Sequence, residues 1–571
     1  MVAVLSASLV GAAGFALDAA TYYAGNRNLR AATEAAALTA AMDPANGASR
    51  AKAYLVRNGF DPSVFKSIEI GRYCPNVHLQ PAQRFDTSYA MCAGNGQSNA
   101  VRIKTSAPSR QYLSRILGPA NPIPQLAATA TAARIDEAGI GTTSGIVTVT
   151  NSLVNSVNGL LGALLNVHLT LSTANIEALV NGNVDAGLFF DALARRVGES
   201  GTYGDLVARS VELNDLMNAA GDAAPNATTA TTLRLLAIQV GTGHRVPLSG
   251  LFGLGLFKDM PVGEADTKPT LRAGLNAYQL WAYAVQSGSG TIDLSNAVSM
   301  LVSGSTVKIT GIARGPLNRP RFSFGPAGET STSTGALRLQ LQIGMGNISV
   351  LGNPVPVQSV PVLIDIAAAQ AELTAIDCAA TAEQARDTRV TIHGSSGLAN
   401  AYIGTAPANA MTSPMPAISA SDIGQARIVN ALGLVTVDAR ATAGPVMGNS
   451  ANVVFGPGGP GTVGSPSQPG TPVSIGNGSQ VGPLLSTLSS SIAATNGVQV
   501  NILGLCLPVV CDSTASAVRA QLVNGIVTPL AGLVGSTVDP LLDNILAALG
   551  IQLGHATLWA TGARCGVPVL V

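Results

Sequence analysis

Charge is what this chain has least of. Asp, Glu, Lys and Arg make up 11% of its 571 residues, against roughly 25% in ordinary soluble proteins. From residue 441 to residue 511 there is not one of them. The formal net charge is +1, and no Lys/Arg cluster stands out, so nucleic acid is not an expected partner, because neutralising phosphates needs clustered cations. Aromatics are 4%, too few for stacking platforms along sugars or single strands. No Gly-Lys dipeptide occurs, which removes the phosphate loop and with it an assembly ATPase. The His-Glu-x-x-His zinc helix and the Gly-x-Ser-x-Gly nucleophile elbow are also missing. The five histidines, His78, His168, His244, His393 and His555, are scattered. The pair Glu212 and Asp215 shares a helical face, which reads as a solvated surface. No catalytic residue, cofactor or metal is therefore expected, and the chain does not read as an enzyme.

Two further motifs fail on inspection. Gly456-x-Gly458-x-x-Gly461 matches the dinucleotide fingerprint, but Pro457 and Pro460 sit inside it and no helix pattern opens after it. No nucleotide is expected there. Asp293-Leu294-Ser295-Asn296-Ala297 approaches an Asp-x-Ser-x-Ser metal motif but lacks its second Ser.

What is present begins at the N-terminus. Residues 2–17 are apolar apart from Ser6 and Ser8. Sixteen helical residues reach about 24 Å, short of the roughly 30 Å hydrocarbon core. Asp18 interrupts the run, and Tyr22 and Tyr23 suit a membrane–water interface. Ala7, Gly11 and Gly14 form a small-residue stripe where another helix could approach. The expectation is a membrane anchor over residues 1–24, with Gly11, Gly14 and Asp18 as its packing residues. The charge order runs against export, since Arg27 and Arg30 follow the run and nothing basic precedes it. A start upstream of Met1 would explain the missing basic leader, and a cleaved signal peptide and a buried soluble helix are the two other readings. The Ala-rich stretch 28–41 has the best helix-forming composition, and Pro44 and Gly47 are its stop.

The ordered pattern of residues 11–41, GAAGFALDAATYYAGNRNLRAATEAAALTAA, resembles the N-terminal segment of the TadG-like proteins of the tight-adherence (Flp) pilus system. The matching positions are Gly14, Asp18, Tyr22, Leu29, Ala32, Glu34, Ala35, Ala36, Ala37 and Leu38. Glu34 stands where Asp is common in that family, and the basic leader is lacking. The block 173–224 together with the closing CGVPVLV, residues 565–571, is similar to the Tad-like domain that accompanies such anchors. The resemblance implies a non-enzymatic, single-pass inner-membrane protein whose body lies in the periplasm. It would help assemble or anchor pili, with other tight-adherence proteins or pilin as partners. An extracytoplasmic adhesin or binding module unrelated to pili is the alternative.

Six cysteines, Cys74, Cys92, Cys378, Cys506, Cys511 and Cys565, favour disulfides in an exported chain. The pairs Cys74–Cys92, Cys506–Cys511 and Cys378–Cys565 are the expected set, and buried thiols in a cytoplasmic protein are the other possibility.

The expected fold class is α+β, a β-rich body with amphipathic helices behind the N-terminal helix. Residues 25–138 read as a helical stem and small α/β domain, with strands at 65–70, 100–104 and 126–135 and a helix at 109–117. Residues 139–455 read as the main domain. In it, Val154, Val157, Leu160, Leu161, Leu164 and Leu165 share a helical face. A strand is expected at 167–171, helices over 173–224 with a break at 198–204, and strands at 335–344, 355–363, 388–393 and 435–439. The apolar segment 360–378 reads as a pair of strands. Residues 456–482 are a Gly/Pro linker. Residues 483–571 form a C-terminal α/β segment, with helices at 484–492 and 541–549 and a strand at 498–503. A Leu-rich helix followed by a strand recurs at 154–171, 484–503 and 541–559.

Overall fold

The computed structural model describes residues 2–74, 79–80, 83–90, 98–110, 124–143, 149–263, 271, 273–287, 291–292, 307–314, 319–334, 336–344, 347–350, 353–356, 359–378, 388–397, 399–412, 415–431, 435–446, 449–476, 487–488, 490–491, 498–502, 546–549 and 555–571. The chain divides into two bodies, Met1–Glu137 with Arg564–Val571, and Ala138–Ala563. The expected helices at 109–117, 484–492 and 541–549 fall wholly or largely outside the described residues, as do His78, Cys92, Cys506, Cys511 and the Asp293 motif.

In the first body, α1 (Val2–Ala41) is followed by α2 (Gly47–Arg57). Between them, the Asp43 side chain accepts from the Asn46 backbone N–H and caps the turn Pro44–Asn46. The sheet is ordered β2 (Phe85–Asp86), β1 (Phe65–Tyr73), β3 (Ala100–Pro108), β4 (Gln125–Thr143). β4 belongs to this body as far as Glu137. All three pairings are antiparallel. Along β4, Leu126, Ala130 and Ala132 are buried while Ala127 and Thr129 are exposed, the period-two pattern of a strand with one covered face. Ala36, Ala37 and Ala40 of α1 pack with Ala51, Leu55, Val101, Ile103, Ala130 and Ala132 in one core. Alanine on both surfaces lets the helix lie close to the sheet. Thr33, fully buried in this packing, shares a 2.6 Å hydrogen bond with Thr105 of β3. The strands expected at 65–70, 100–104 and 126–135 are all present, the last one longer than expected.

The second body has a helical part and several antiparallel sheets. α3 (Thr173–Val180), α4 (Ala186–Val197), α5 (Leu213–Asp222), α6 (Ala227–Val240) and α7 (Ala277–Gln286) carry most of its helical core. α4 ends at Gly198, whose φ of +66° is a left-handed cap, and the break expected at 198–204 is there. Every residue of α7 is buried, as expected of a helix surrounded by other elements. A six-stranded sheet runs in the order Thr291–Ile292, Val307–Arg314, Leu337–Ile343, Val360–Ile366, Ala399–Ile403, Ala441–Val446. Leu339, Leu341, Val362, Ile364 and Ala401 share one core with Phe189, Phe190, Leu216, Leu233 and Trp281, so one face of this sheet is covered by the helices. A separate core holds Leu373, Ile392, Phe455, Ile475 and Leu558 around a four-stranded sheet.

Three expectations are corrected here. Residues 360–378 do form two strands, Val360–Ile366 and Gln370–Asp377, but they belong to different sheets and do not pair with each other. Residues 167–171 are not a strand. Val167 N–H donates to the Gly162 carbonyl, Leu171 N–H to Asn158 Oδ1 and Thr170 N–H to Gln239 Oε1. The repeated helix–strand unit is therefore not met at its first copy. Residues 456–476 are not a free linker. Gly464 and Gly470 lie so close to neighbouring backbone that an added Cβ would come within 2.8 and 2.3 Å of it, and Val473–Ile475 pairs with the strand Ala556–Leu570. Gly456, Gly458 and Gly461 form a tight turn that returns to Phe455. Gly456 and Gly458 have φ of +102° and +76°. This is a turn that only glycine suits, and no helix begins after it.

Candidate functional site

The residues expected to pack the N-terminal helix all lie on α1. Gly11 is helical, and its surroundings are outside the described set. Gly14 is buried and Asp18 is 8% exposed. Buried or half-buried positions continue at Thr21, Gly25, Leu29 and Thr33, steps of three and four that keep to one helical face. In the same stretch Leu17, Tyr22 and Tyr23 are 50%, 37% and 81% exposed. The anchor expected over 1–24 finds no support: among the described residues, no helix is long and apolar enough to cross a membrane.

Of the six cysteines, Cys74, Cys378 and Cys565 are described, and each is disulfide-bonded. Cys74 is fully buried at the end of β1, and Cys565 is exposed. The first body is also tied at its C-terminal strand. Arg564 forms a buried ion pair with Glu137, the Gly566 N–H donates to Asp136 Oδ1 at 2.7 Å, and the Val571 N–H donates to the Thr131 carbonyl at 3.0 Å.

The second body has a polar groove of about 510 Å³ between the C-terminal end of α3, the start of α6 and residues 467–469. Glu177, Asn181, Asn183, Thr228 and Gln468 are among its walls. α3 begins with a reciprocal cap between Ser172 and Asn175. It stops at Asn181-Gly182, where any side chain on residue 182 would come within 2.3 Å of the Ala178 carbonyl. The chain then turns into a short strand that begins with Asn183. Asn226 caps α6 by accepting from the backbone N–H groups of Thr228 and Thr229. Glu212 and Asp215 line a second groove with Arg209 and Arg245, a more charged setting than the plain solvated face expected for them.

α4, α5 and α6 meet at Asp222. Its two oxygens accept from Arg196 at 2.6 Å and from Arg234 at 3.1 Å. Burial works against the charge, but the two guanidinium hydrogen bonds outweigh it and hold the Asp222 carboxyl below its ordinary range. A lowered carboxyl pKa contributes stability above the unfolded value, near pH 4, and loses it as pH falls through the folded value. Asp222→Asn is therefore expected to lower the melting temperature at pH 7, with the difference from wild type closing as pH falls through the folded-state value. Melting curves from pH 2.5 to 7 check this, and a difference constant across that range would refute it.

Sequence reading missed Asn183 and Glu177. Their one local signal is the Asn-Gly-Asn turn at 181–183, since the other walls of the groove come from residues 225–229 and 467–469.

The class these features define is a helix-led α+β protein with oxidised cysteines. Comparison with known families narrows this. Residues 31–132 match the family of Tad-like Flp pilus-assembly domains. Residues 154–285 match a domain of unknown function, DUF8293. The Tad-like match thus covers the last quarter of α1, α2 and the strands packed on them. The block 173–224, read from sequence as Tad-like, falls in the other match. No curated protein and no solved structure matches the chain.

Proposed function

We propose that this chain is a non-enzymatic envelope protein that takes part in assembling or anchoring tight-adherence pili. The observation that carries the reading is the Tad-like Flp pilus-assembly match over residues 31–132. Those residues form a compact unit of two helices on an antiparallel sheet. On this reading α1 attaches the body to the inner membrane. The apolar run 2–17 supports that, as do the exposed Leu17, Tyr22 and Tyr23 at the point where polar helix begins. The disulfide-bonded Cys74, Cys378 and Cys565 fit an oxidising compartment, which for such a topology is the periplasm. The TadG-like assignment within the pilus system rests on the ordered pattern from Gly14 to Leu38. The partners are other components of that system, met through α1 and the membrane-proximal unit.

In-frame deletion of the gene, followed by counting surface pili and measuring attachment, tests the role. Loss of piliation restored by the plasmid-borne gene is expected. Normal piliation and attachment in the deletion strain would overturn the proposal, and loss of attachment with pili intact would favour an adhesin.

A further inference from the structure

Charge is scarce in this chain and nets to +1, yet one end of the first body gathers it. There Leu29, Val64 and Leu126 are buried together, with Phe60 and Ala107 packed against them. An exposed cation stands a few residues from each of four members of this cluster: Arg27 before Leu29, Arg57 before Phe60, Lys66 after Val64 and Arg110 after Ala107. The one exposed carboxylate beside the cluster among the described residues is Asp61, whose Oδ1 accepts from the Ser63 N–H at 2.8 Å. Arg30 is neutralised by Glu34 at 2.9 Å. Asp18, farther along α1, is buried. Four cations against one carboxylate leave this end at +3, in a chain whose total is +1. Arg27, Arg57 and Arg110 have no carboxylate partner among the described residues, and Lys66 Nζ donates to the Ser63 carbonyl at 2.8 Å.

The same end is where α1 leads into its apolar run, residues 2–17. Tyr22 and Tyr23, both exposed, lie between the run and the cluster. Arg110 is brought to their level from a distant part of the chain, since the Thr21 hydroxyl donates to its carbonyl at 3.3 Å. Gly25 fixes the helix against the end of the sheet: a Cβ there would lie 3.1 Å from the Leu126 side chain. From Tyr23 to Arg27 is about 6 Å along the helix axis, and one headgroup layer is about 5–8 Å deep. An apolar run, then tyrosines, then cations without carboxylate partners is the order in which a bilayer presents tails, interface and phosphates. Zwitterionic headgroups carry no net charge, so a surface at +3 gains most from anionic ones. Guanidinium groups match phosphate oxygens in geometry as well as charge. An acidic protein would answer the charge but not the tyrosines and the apolar run beside it.

We infer that this end of the first body is a headgroup-binding surface for anionic phospholipids, with Arg27 and Arg110 meeting lipid phosphates at the level of the tyrosines and Arg57 and Lys66 adding to the attraction. The inference rests on the reading of α1 as the membrane attachment. The test is flotation of the full chain, at limiting lipid and low salt, with phosphatidylcholine vesicles and with vesicles that also contain phosphatidylglycerol. Partition stronger by about tenfold or more onto the phosphatidylglycerol vesicles is expected, since each cation near an anionic surface contributes roughly fivefold. High salt should erase the difference. Arg27→Gln with Arg110→Gln is expected to remove most of the preference and leave partition onto phosphatidylcholine unchanged. Arg27→Lys with Arg110→Lys keeps both charges and should keep the preference. Both positions are exposed, so all these variants should melt as wild type does. Equal partition of the wild type onto both vesicles, undiminished preference in the Gln variant, or its loss in the Lys variant would each overturn the inference and leave α1 as an attachment. No partition onto either vesicle would overturn the attachment reading as well.

Discussion

Arg338→Ala is expected to destabilise the second body by about 3–5 kcal/mol, the usual penalty for removing one partner of a buried ion pair. Arg338 lies in the strand Leu337–Ile343, directly opposite Asp365 in the neighbouring strand. Its neighbours Leu337, Leu339 and Leu341 point into the main core, so its own side chain leaves from the other face, where an arginine would ordinarily be solvated. Here it is 1% exposed. Nη2 donates to Asp365 Oδ2 at 2.6 Å and to the Pro416 carbonyl at 2.9 Å, and Nη1 donates to the Ala410 carbonyl at 2.8 Å. The guanidinium thus gathers one carboxylate and two backbone oxygens from the segment that follows Ile403. That segment also packs Met411 and Ile418 on the small cluster of Leu363, Tyr402 and Ile423. Removing the cation leaves Asp365 half-desolvated and both carbonyls without this donor. The double variant Arg338→Met with Asp365→Leu should recover part of the loss, because an apolar pair of similar volume removes the unpaired carboxylate while the Ala410 and Pro416 carbonyls stay without this donor. Denaturant unfolding of the three proteins checks this. A loss below about 1 kcal/mol in Arg338→Ala would mean that water reaches the pair.

The second large effect is expected at Trp281. It is fully buried in α7, at 0% exposure, and meets Tyr278 edge-to-face with ring centroids 6.2 Å apart. Trp281→Ala should cost about 3–5 kcal/mol, the range for emptying a buried aromatic site. Trp281→Phe is the more informative change. The indole N–H is buried and has no acceptor among the described residues. Phenylalanine loses packing area but also removes that unpaired donor, which carries a cost of about 1–3 kcal/mol. The two terms offset, and Trp281→Phe should lie within about 1 kcal/mol of wild type. If phenylalanine costs nearly as much as alanine, the indole N–H has a partner such as a buried water, and the offset argument fails.

The parts of the fold legible in sequence were those set by local pattern. The alternation of Ala and Thr along β4 and the Ala-rich second half of α1 declared their elements without help. The break expected at 198–204 likewise marked where α4 ends. The parts that were not legible depend on distant partners. Residues 360–378 read as two strands, yet nothing local assigns them to separate sheets. Arg338 reads as the polar face of an alternating strand, and only the chain 70 to 80 residues later makes it a buried clasp. The Gly/Pro tract at 456–476 has linker composition, but its glycines serve close backbone approaches that composition does not announce. Asn183 was invisible for the same reason, since the carbonyls that fix its amide lie at residues 465 and 466.

We propose an envelope protein held by α1 at the inner membrane, with an oxidised body outside the cytoplasm. The most direct measurement is to fractionate cells, extract the membranes with alkaline carbonate, and alkylate cysteines in intact cells with and without a reductant. The expected result is protein that stays with the inner-membrane pellet, is cut by protease in spheroplasts, and reacts with the alkylating reagent only after reduction. Protein in the cytoplasmic fraction with freely reactive thiols would contradict it.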